Sequence, residues 1–355
     1  MQLPLLAPLP TQRALWAPAP PLAPVPTLPP TPPLAPESAN APVDVWAALG
    51  TVASKLGHWL ASPYLAKTAQ IGFDEFVQPK AHRPDSAPPS QFGLSYQDLS
   101  FSAKDGTPLK GWYIPSATPS YRTVVLACGH GSQMGKEMSQ FAPWLHKAGY
   151  NVVCFDFRNS GGSGGAQTTM GFEERFDLNA AITQAQGRGG KNIAVMGVSM
   201  GAATAISEAA DDPRVKTIVA DCPFDTLQNA VEPRVRTTTI KVGPFKHVHF
   251  PLPGWVARAI LARCNQDTGH TTQSPGGGLE AAEPLRALPK LGKRPLFLIH
   301  GAADHSTPSE CSKNLAKAAG NAQLWLVPGA DHAHSYQTAP AQYQAKVLAF
   351  LKASM

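Results

Sequence analysis

Unbroken apolar runs are the feature that most restricts how this chain can fold. From about residue 95 onward they alternate with stretches of helical periodicity, and residues 123–128, 193–198 and 296–299 are examples. A strand with one face in water alternates apolar and polar residues, whereas a strand buried on both faces is apolar throughout. The pattern therefore predicts an α/β fold in which helices cover a mostly parallel sheet.

The strands expected on this basis, beginning with an antiparallel hairpin, are residues 99–102, 111–115, 123–128, 152–157, 193–198, 215–220, 296–299 and 322–327. The helices expected between and after them are residues 137–147, 172–186, 200–210, 309–319 and 342–352.

Three segments depart from this alternation. Residues 1–42 contain 13 prolines within the first 36 positions, which predicts a disordered, extended segment. Its PxxP spacings would allow weak binding of a partner, although a solvated spacer is the interpretation we favour. Residues 43–94 are expected to form an N-terminal helix (43–66) and a linker. Residues 224–290 interrupt the main domain at 95–355, contain a candidate helix at 255–264, and would form a lid over a ligand site.

Charge and cysteine content exclude several classes of protein. The formal net charge is +6 without any run of five Lys/Arg residues, so no nucleic-acid-binding surface is expected. No apolar stretch is long enough to span a membrane, and no secretory signal is recognisable. The five cysteines form no CxxC pair and are expected to be reduced thiols, which indicates a cytoplasmic protein.

A candidate nucleophile lies between one of the strands and the helix after it. The pentapeptide Gly197-Val198-Ser199-Met200-Gly201 matches G-x-S-x-G, in the order strand, sharp turn, helix. Such a turn strains the serine backbone and tolerates only small residues two positions away on either side. It presents the hydroxyl of Ser199 at the positive end of the helix.

Activating a serine hydroxyl requires a base, and the base requires an acid to orient it. Asp304 follows the strand at 296–299 and His332 follows the strand at 322–327, so both are expected at the carboxyl edge of the sheet. We select Ser199, His332 and Asp304 as a catalytic triad. His334 is an alternative base, Asp331 and Asp225 are alternative acids, and His305 neighbours the chosen acid.

An acyl-transfer site also needs backbone N–H groups that stabilise an oxyanion. We expect one from Met200, which follows the nucleophile, and one from Ser132, in the loop after residues 123–128, with Gln133 as the alternative. No metal is expected, because the histidine pairs at 247/249 and 332/334 have no cysteine or acidic partner at strong ligand spacing.

These motifs together resemble the α/β-hydrolase superfamily, within it the serine esterase and aminopeptidase-like branch, over residues 95–353. The matching segments, in family order, are residues 130–131, 156–163, 197–201, 300–304 and 329–332. The resemblance implies a sheet of eight strands, a lid after the sixth strand and no cofactor. The chain has Arg158-Asn159-Ser160-Gly161 where the family often has Arg-Gly-His-Gly, and Asp331 where it often has glycine.

The function that we predict is hydrolysis of a carboxylic ester of a small-molecule acyl substrate through an acyl-enzyme. A peptidase, an aminopeptidase or an acyltransferase would use the same nucleophile, and the lid would decide among them. A non-catalytic binding protein on this scaffold is the remaining alternative.

Overall fold

An eight-stranded sheet forms the centre of the part of the chain that the structure describes. The structure, a computed structural model, describes residues 87–236, 239–242, 245–249, 254–269 and 277–355. The strands of this sheet are β1 (Gln97–Ser102), β2 (Pro108–Ile114), β3 (Arg122–Ala127), β4 (Asn151–Phe155), β5 (Asn192–Val198), β6 (Val215–Asp221), β9 (Leu296–Gly301) and β10 (Gln323–Val327). β7 (Thr239–Val242) and β8 (Phe245–His249) form a separate antiparallel pair.

The sheet is mostly parallel. Its strand order is β1-β2-β4-β3-β5-β6-β9-β10, and only the β1–β2 and β2–β4 pairs are antiparallel. The first hairpin and the parallel arrangement agree with the sequence prediction.

Helices cover the sheet. They are α1 (Ala142–Lys147), α2 (Glu174–Gly187), α3 (Met200–Asp211), α4 (Leu227–Arg236), α5 (Gly254–Asp267), α6 (Pro284–Leu291), α7 (Glu310–Ala319), α8 (Ser335–Thr338) and α9 (Pro340–Ser354). Helix α2 contacts β3 and β4, α3 contacts β5 and β6, and α9 contacts β6. The apolar strand residues Val124, Val125 and Leu126 are accordingly buried. None of the described helices is long and apolar enough to cross a bilayer.

The helix predicted over residues 137–147 is α-helical only in its second half. The chain there forms a π-helical turn, Met134–Met138, then a 3₁₀ turn, Ser139–Phe141, and only then α1. Pro143 explains the α-helical start, because a proline has no backbone N–H to donate and is favoured in the first helical turn.

The segment at 224–290 lies between β6 and β9 and has its own secondary structure. Within its described part are α4, the β7–β8 pair, α5 and α6. The helix predicted at 255–264 is confirmed within α5. The predicted extension over residues 1–42, and the helix and linker over residues 43–94 as far as residue 86, lie outside the described residues.

Candidate active site

Ser199 occupies a strained turn between β5 and α3. Its backbone has φ 52° and ψ −116°, in a region that a residue with a side chain rarely adopts. The turn is held on both sides: the Ser199 amide donates to the Asp221 carbonyl at 2.8 Å, and the Ser199 carbonyl accepts from the Ala203 amide at 3.0 Å. The strain therefore persists because the neighbouring strand and helix impose it.

Two glycines allow β5 and α3 to approach each other so closely. A Cβ atom on Gly197 would lie 2.4 Å from the carbonyl carbon of Gly201, and one on Gly201 would lie 2.2 Å from the carbonyl oxygen of Ala127. No side chain fits at either position without backbone movement. This is the steric reason for G-x-S-x-G that the sequence suggested.

The structure brings Ser199, His332 and Asp304 together. Nε2 of His332 lies 2.9 Å from Oγ of Ser199, and Nδ1 lies 2.7 Å from Oδ2 of Asp304. Asp304 has no exposed side-chain surface, while 18 % of the His332 side chain is exposed. The imidazole can thus exchange a proton with the serine while the buried carboxylate fixes its orientation.

The Asp304 carboxylate is anchored on both oxygens. Oδ1 accepts the amides of Ser306 at 2.9 Å and Thr307 at 2.8 Å, and Oδ2 lies 3.2 Å from Nε2 of His300 in addition to its contact with His332. Burial alone would raise the pKa of Asp304, but these hydrogen bonds and the His332 ring outweigh it and hold that pKa well below its ordinary value. Asp304 is therefore ionised at neutral pH.

The alternative bases and the exposed alternative acid lie outside this chain of contacts. Nδ1 of His334 donates to the His332 carbonyl at 2.7 Å. His305 is exposed, and its amide donates to Oδ1 of Asp331 at 3.1 Å. The same Asp331 oxygen accepts the His332 amide at 2.7 Å. Asp331 thus stabilises the backbone of the loop that carries His332, whereas Asp304 contacts the His332 ring.

Asp225 is also engaged elsewhere. Its carboxylate accepts the side-chain amides of Asn229 at 2.8 Å and Asn314 at 2.9 Å. The acid that contacts His332 is the one after β9.

The two expected oxyanion donors differ in their surroundings. Met200 begins α3, so its N–H has no intrahelical acceptor. The Ser132 amide donates to the Gly129 carbonyl at 3.2 Å within a tight turn, and it would have to turn away from that carbonyl to serve an oxyanion. The backbone carbonyl of Gln133 accepts the amides of Lys136 and Glu137, so Gln133 begins the π-helical turn. Both donors stay predictions.

Glu137 was not selected from the sequence, yet it supports the loop expected to carry an oxyanion donor. Its Oε2 accepts the Gly129 amide at 2.6 Å. A Cβ atom on Gly129 would lie 3.4 Å from Cβ of Ser199 and 3.5 Å from both Glu137 carboxylate oxygens, so Glu137 and Ser199 both lie next to this glycine. Burial raises the pKa of Glu137, and the Gly129 hydrogen bond acts against it.

Asp221, at the end of β6, is a second buried carboxylate that sequence reasoning missed. Its Oδ1 accepts the Ser335 hydroxyl at 2.8 Å, and burial raises its pKa to about 6. Asp221 lines a cavity of about 350 Å³ together with Ser132, Glu137 and His334. A polar cavity thus adjoins both the loop after β3 and the loop that carries His332.

One group of side chains near Ser199 has the composition of a metal site. Ligand atoms of Cys222, Asp304 and His332 lie within 4.8 Å of one another. However, His332 and Asp304 already share a short hydrogen bond, and burial raises the pKa of the Cys222 thiol well above its ordinary value. A protonated thiol is a poor metal ligand, so this donor set does not favour a metal.

Comparisons with known proteins identify the family and the fold of this chain. The family model described as "Serine aminopeptidase, S33" matches residues 118–336. The uncharacterized protein YfhR of Escherichia coli O157:H7 is 25% identical over 285 residues, which are 77% of this chain and 84% of YfhR. A thiohydrolase, aneE of Aspergillus aculeatus, is 31% identical over 159 residues, 41% of this chain and 48% of that protein.

Among solved structures, the esterase Pf2001 of Pyrococcus furiosus matches with a TM-score of 0.61 and 27% identity. The match covers 78% of this chain and 99% of the esterase.

Proposed function

Since this chain belongs to the serine aminopeptidase S33 family of α/β-hydrolases, we propose that it is a serine hydrolase that cleaves a carboxylic ester with Ser199, His332 and Asp304. The observation that carries the proposal is the continuous path from Oγ of Ser199 through the His332 ring to Asp304, with contacts of 2.9 and 2.7 Å. The esterase that matches most of the chain supports hydrolysis of an ester.

The proposed reaction has two halves. Oγ of Ser199 attacks the ester carbonyl carbon while Nε2 of His332 accepts the hydroxyl proton. The tetrahedral oxyanion is stabilised by the amides of Met200 and Ser132, and collapses as His332 returns the proton to the leaving alcohol. Water then attacks the acyl-enzyme, with His332 again as the base, and His332 returns that proton to Oγ of Ser199 as the carboxylic acid leaves. Asp304 stays ionised throughout and stabilises the imidazolium, consistent with the direction of its pKa shift.

The segment at 224–290 is proposed as the lid that selects the substrate, because it is inserted directly after β6, beside the strand that leads to Ser199. We also propose a reducing compartment such as the cytoplasm. The five cysteines are buried thiols, as expected in a reducing compartment.

Two other acyl bonds are alternatives at the same site. The family description favours an aminoacyl amide, and the thiohydrolase relative favours a thioester. Measuring kcat/KM for short p-nitrophenyl esters, aminoacyl p-nitroanilides and acyl thioesters would rank the three substrate classes. A higher kcat/KM for the anilide than for the ester would replace the ester assignment.

The decisive test is Ser199→Ala. We expect hydrolysis of p-nitrophenyl acetate to fall about 10⁶-fold, and labelling by a fluorophosphonate probe to be lost. Ser309→Ala is the matched control, because Ser309 precedes α7 without a side-chain cap hydrogen bond, and it should keep full activity. Full activity in Ser199→Ala would refute the assignment.

A further inference from the structure

His300 is a fully buried imidazole within β9, where the neighbouring strand residues are apolar. Both of its ring nitrogens have partners. Nε2 lies 2.9 Å from the Thr307 carbonyl and 3.2 Å from Oδ2 of Asp304, and Nδ1 lies 2.7 Å from Oγ of Ser312. A buried polar ring with this many directed contacts has a defined orientation.

The partners determine where the His300 proton lies. A carbonyl and an ionised carboxylate only accept hydrogen bonds, so Nε2 of His300 must be the protonated nitrogen. In the neutral ring, Nδ1 then accepts the Ser312 hydroxyl. The ring therefore presents an N–H to both the loop carbonyl at Thr307 and the Asp304 carboxylate, while helix α7 holds its other side through Ser312.

Asp304 thus lies between two imidazoles. One oxygen is held by the amides of Ser306 and Thr307, and the other is shared by His300 and His332. The two amides fix the loop, but they leave the second oxygen free to tilt away from His332. The contact from His300 opposes that tilt, because His300 reaches this oxygen from β9, whereas His332 reaches it from the loop after β10.

Building on the proposed function, we propose that His300 is a positioning residue: its Nε2–H holds the Asp304 carboxylate in the plane that orients His332 towards Ser199. His300 does not touch the reacting atoms. Its effect reaches the nucleophile through Asp304 and His332, so it should change kcat and leave substrate binding nearly unchanged.

The test compares His300→Leu, which removes both ring contacts, with His300→Gln, whose amide can restore one donor. Correctly folded sites are counted by stoichiometric fluorophosphonate labelling, and kcat and KM for p-nitrophenyl acetate are expressed per labelled site. We expect His300→Leu to lower kcat about 10- to 100-fold with KM within about twofold, by analogy with the loss when the hydrogen-bond partner of a metal-ligating histidine is removed. His300→Gln should recover part of the loss.

A second readout separates positioning from folding. The proton between Nδ1 of His332 and Asp304 should give a low-field ¹H NMR resonance, and His300→Leu should move it upfield. Wild-type kcat per labelled site, or a resonance that does not move, would overturn the proposal. If His300→Leu is insoluble, His300→Asn serves instead, since its side chain is too short to reach Asp304, and the same two readouts decide.

This outcome is distinguishable from failure of the proposed function. If the wild-type protein neither labels at Ser199 nor hydrolyses any of the three substrate classes, the hydrolase assignment fails. The resonance still reports whether His300 orients the Asp304–His332 pair.

Discussion

Replacing Gly201 by alanine tests the geometry on which the proposed nucleophile depends. Gly201 is the second residue of α3, and its added Cβ would lie 2.2 Å from the Ala127 carbonyl oxygen and 2.5 Å from that of Cys128. These separations are roughly 1 Å shorter than van der Waals contact permits. Both obstacles are backbone atoms, so α3 and the end of β3 must move apart.

The expected magnitude follows from that displacement. Overpacking of this kind costs about 1–3 kcal/mol, which for a domain of this size lowers Tm by roughly 2–12 °C. The displacement also separates Met200, at the start of α3, from the loop after β3 that contains Ser132. A misplacement of about 1 Å in a catalytic arrangement costs about 10²-fold, so kcat should fall by that factor while KM changes little.

Gly187→Ala is the matched control for Gly201→Ala. Gly187 ends α2, has no atom within 4 Å of an added Cβ, and does not have a positive φ. Alanine there should leave kcat unchanged and raise stability by about 0.4–1 kcal/mol, since it restricts the unfolded chain. Thermal unfolding and p-nitrophenyl acetate kinetics on both variants provide the measurements. Wild-type Tm and kcat in Gly201→Ala would contradict the steric account of the turn.

Two further predictions concern buried carboxylates. Asp304→Asn should lower kcat about 10⁴-fold without loss of fold by circular dichroism, because a neutral amide can stabilise the wrong His332 tautomer; a loss below tenfold would point to another acid. Burial raises the pKa of Glu208 to about 7, so its contribution to stability is complete below about pH 4.5 and declines as pH rises through 7. Glu208→Gln should therefore be more stable than wild type by about 3 kcal/mol in urea unfolding at pH 8 but not at pH 4, whereas exposed Glu310→Gln should show no such pH dependence.

The sheet could be predicted from the sequence because its main signal is local. An unbroken apolar run such as the one in β3 predicts a strand that is buried on both faces. In the structure, five of the six β3 residues are buried. Within the helix predicted over residues 137–147, the α-helical part begins only at Ala142, because Pro143 favours a helix that begins beside it. The π-helical turn at Met134–Met138 has no comparable signal in the sequence.

The supporting residues of the site could not be predicted in this way. His300 lies within an apolar strand, Glu137 beside apolar methionines, and Asp221 at the end of a buried strand. Each is a buried polar group, and burying a polar group costs free energy unless hydrogen-bond partners replace the water it loses. Those partners, such as Ser312 for His300 and Ser335 for Asp221, come from other elements, so only the three-dimensional arrangement identifies them. For His300 and Asp221, the available signal was a polar residue directly after a predicted buried strand.

Strand register explains why residues so far apart in the chain meet at one site. Val198 pairs with Asp221, and Asp221 pairs with Ile299, so β5, β6 and β9 reach the same level of the sheet. Strand β10 ends level with Gly301, and the segments that carry Ser199, Asp304 and His332 all leave from this edge. Asp221 is closer to Ser199 along this edge, but its carboxylate faces Ser335, whereas the short loop after Gly301 brings Asp304 to Nδ1 of His332. Parallel register thus brings the catalytic candidates together, and loop geometry selects which carboxylate orients the base.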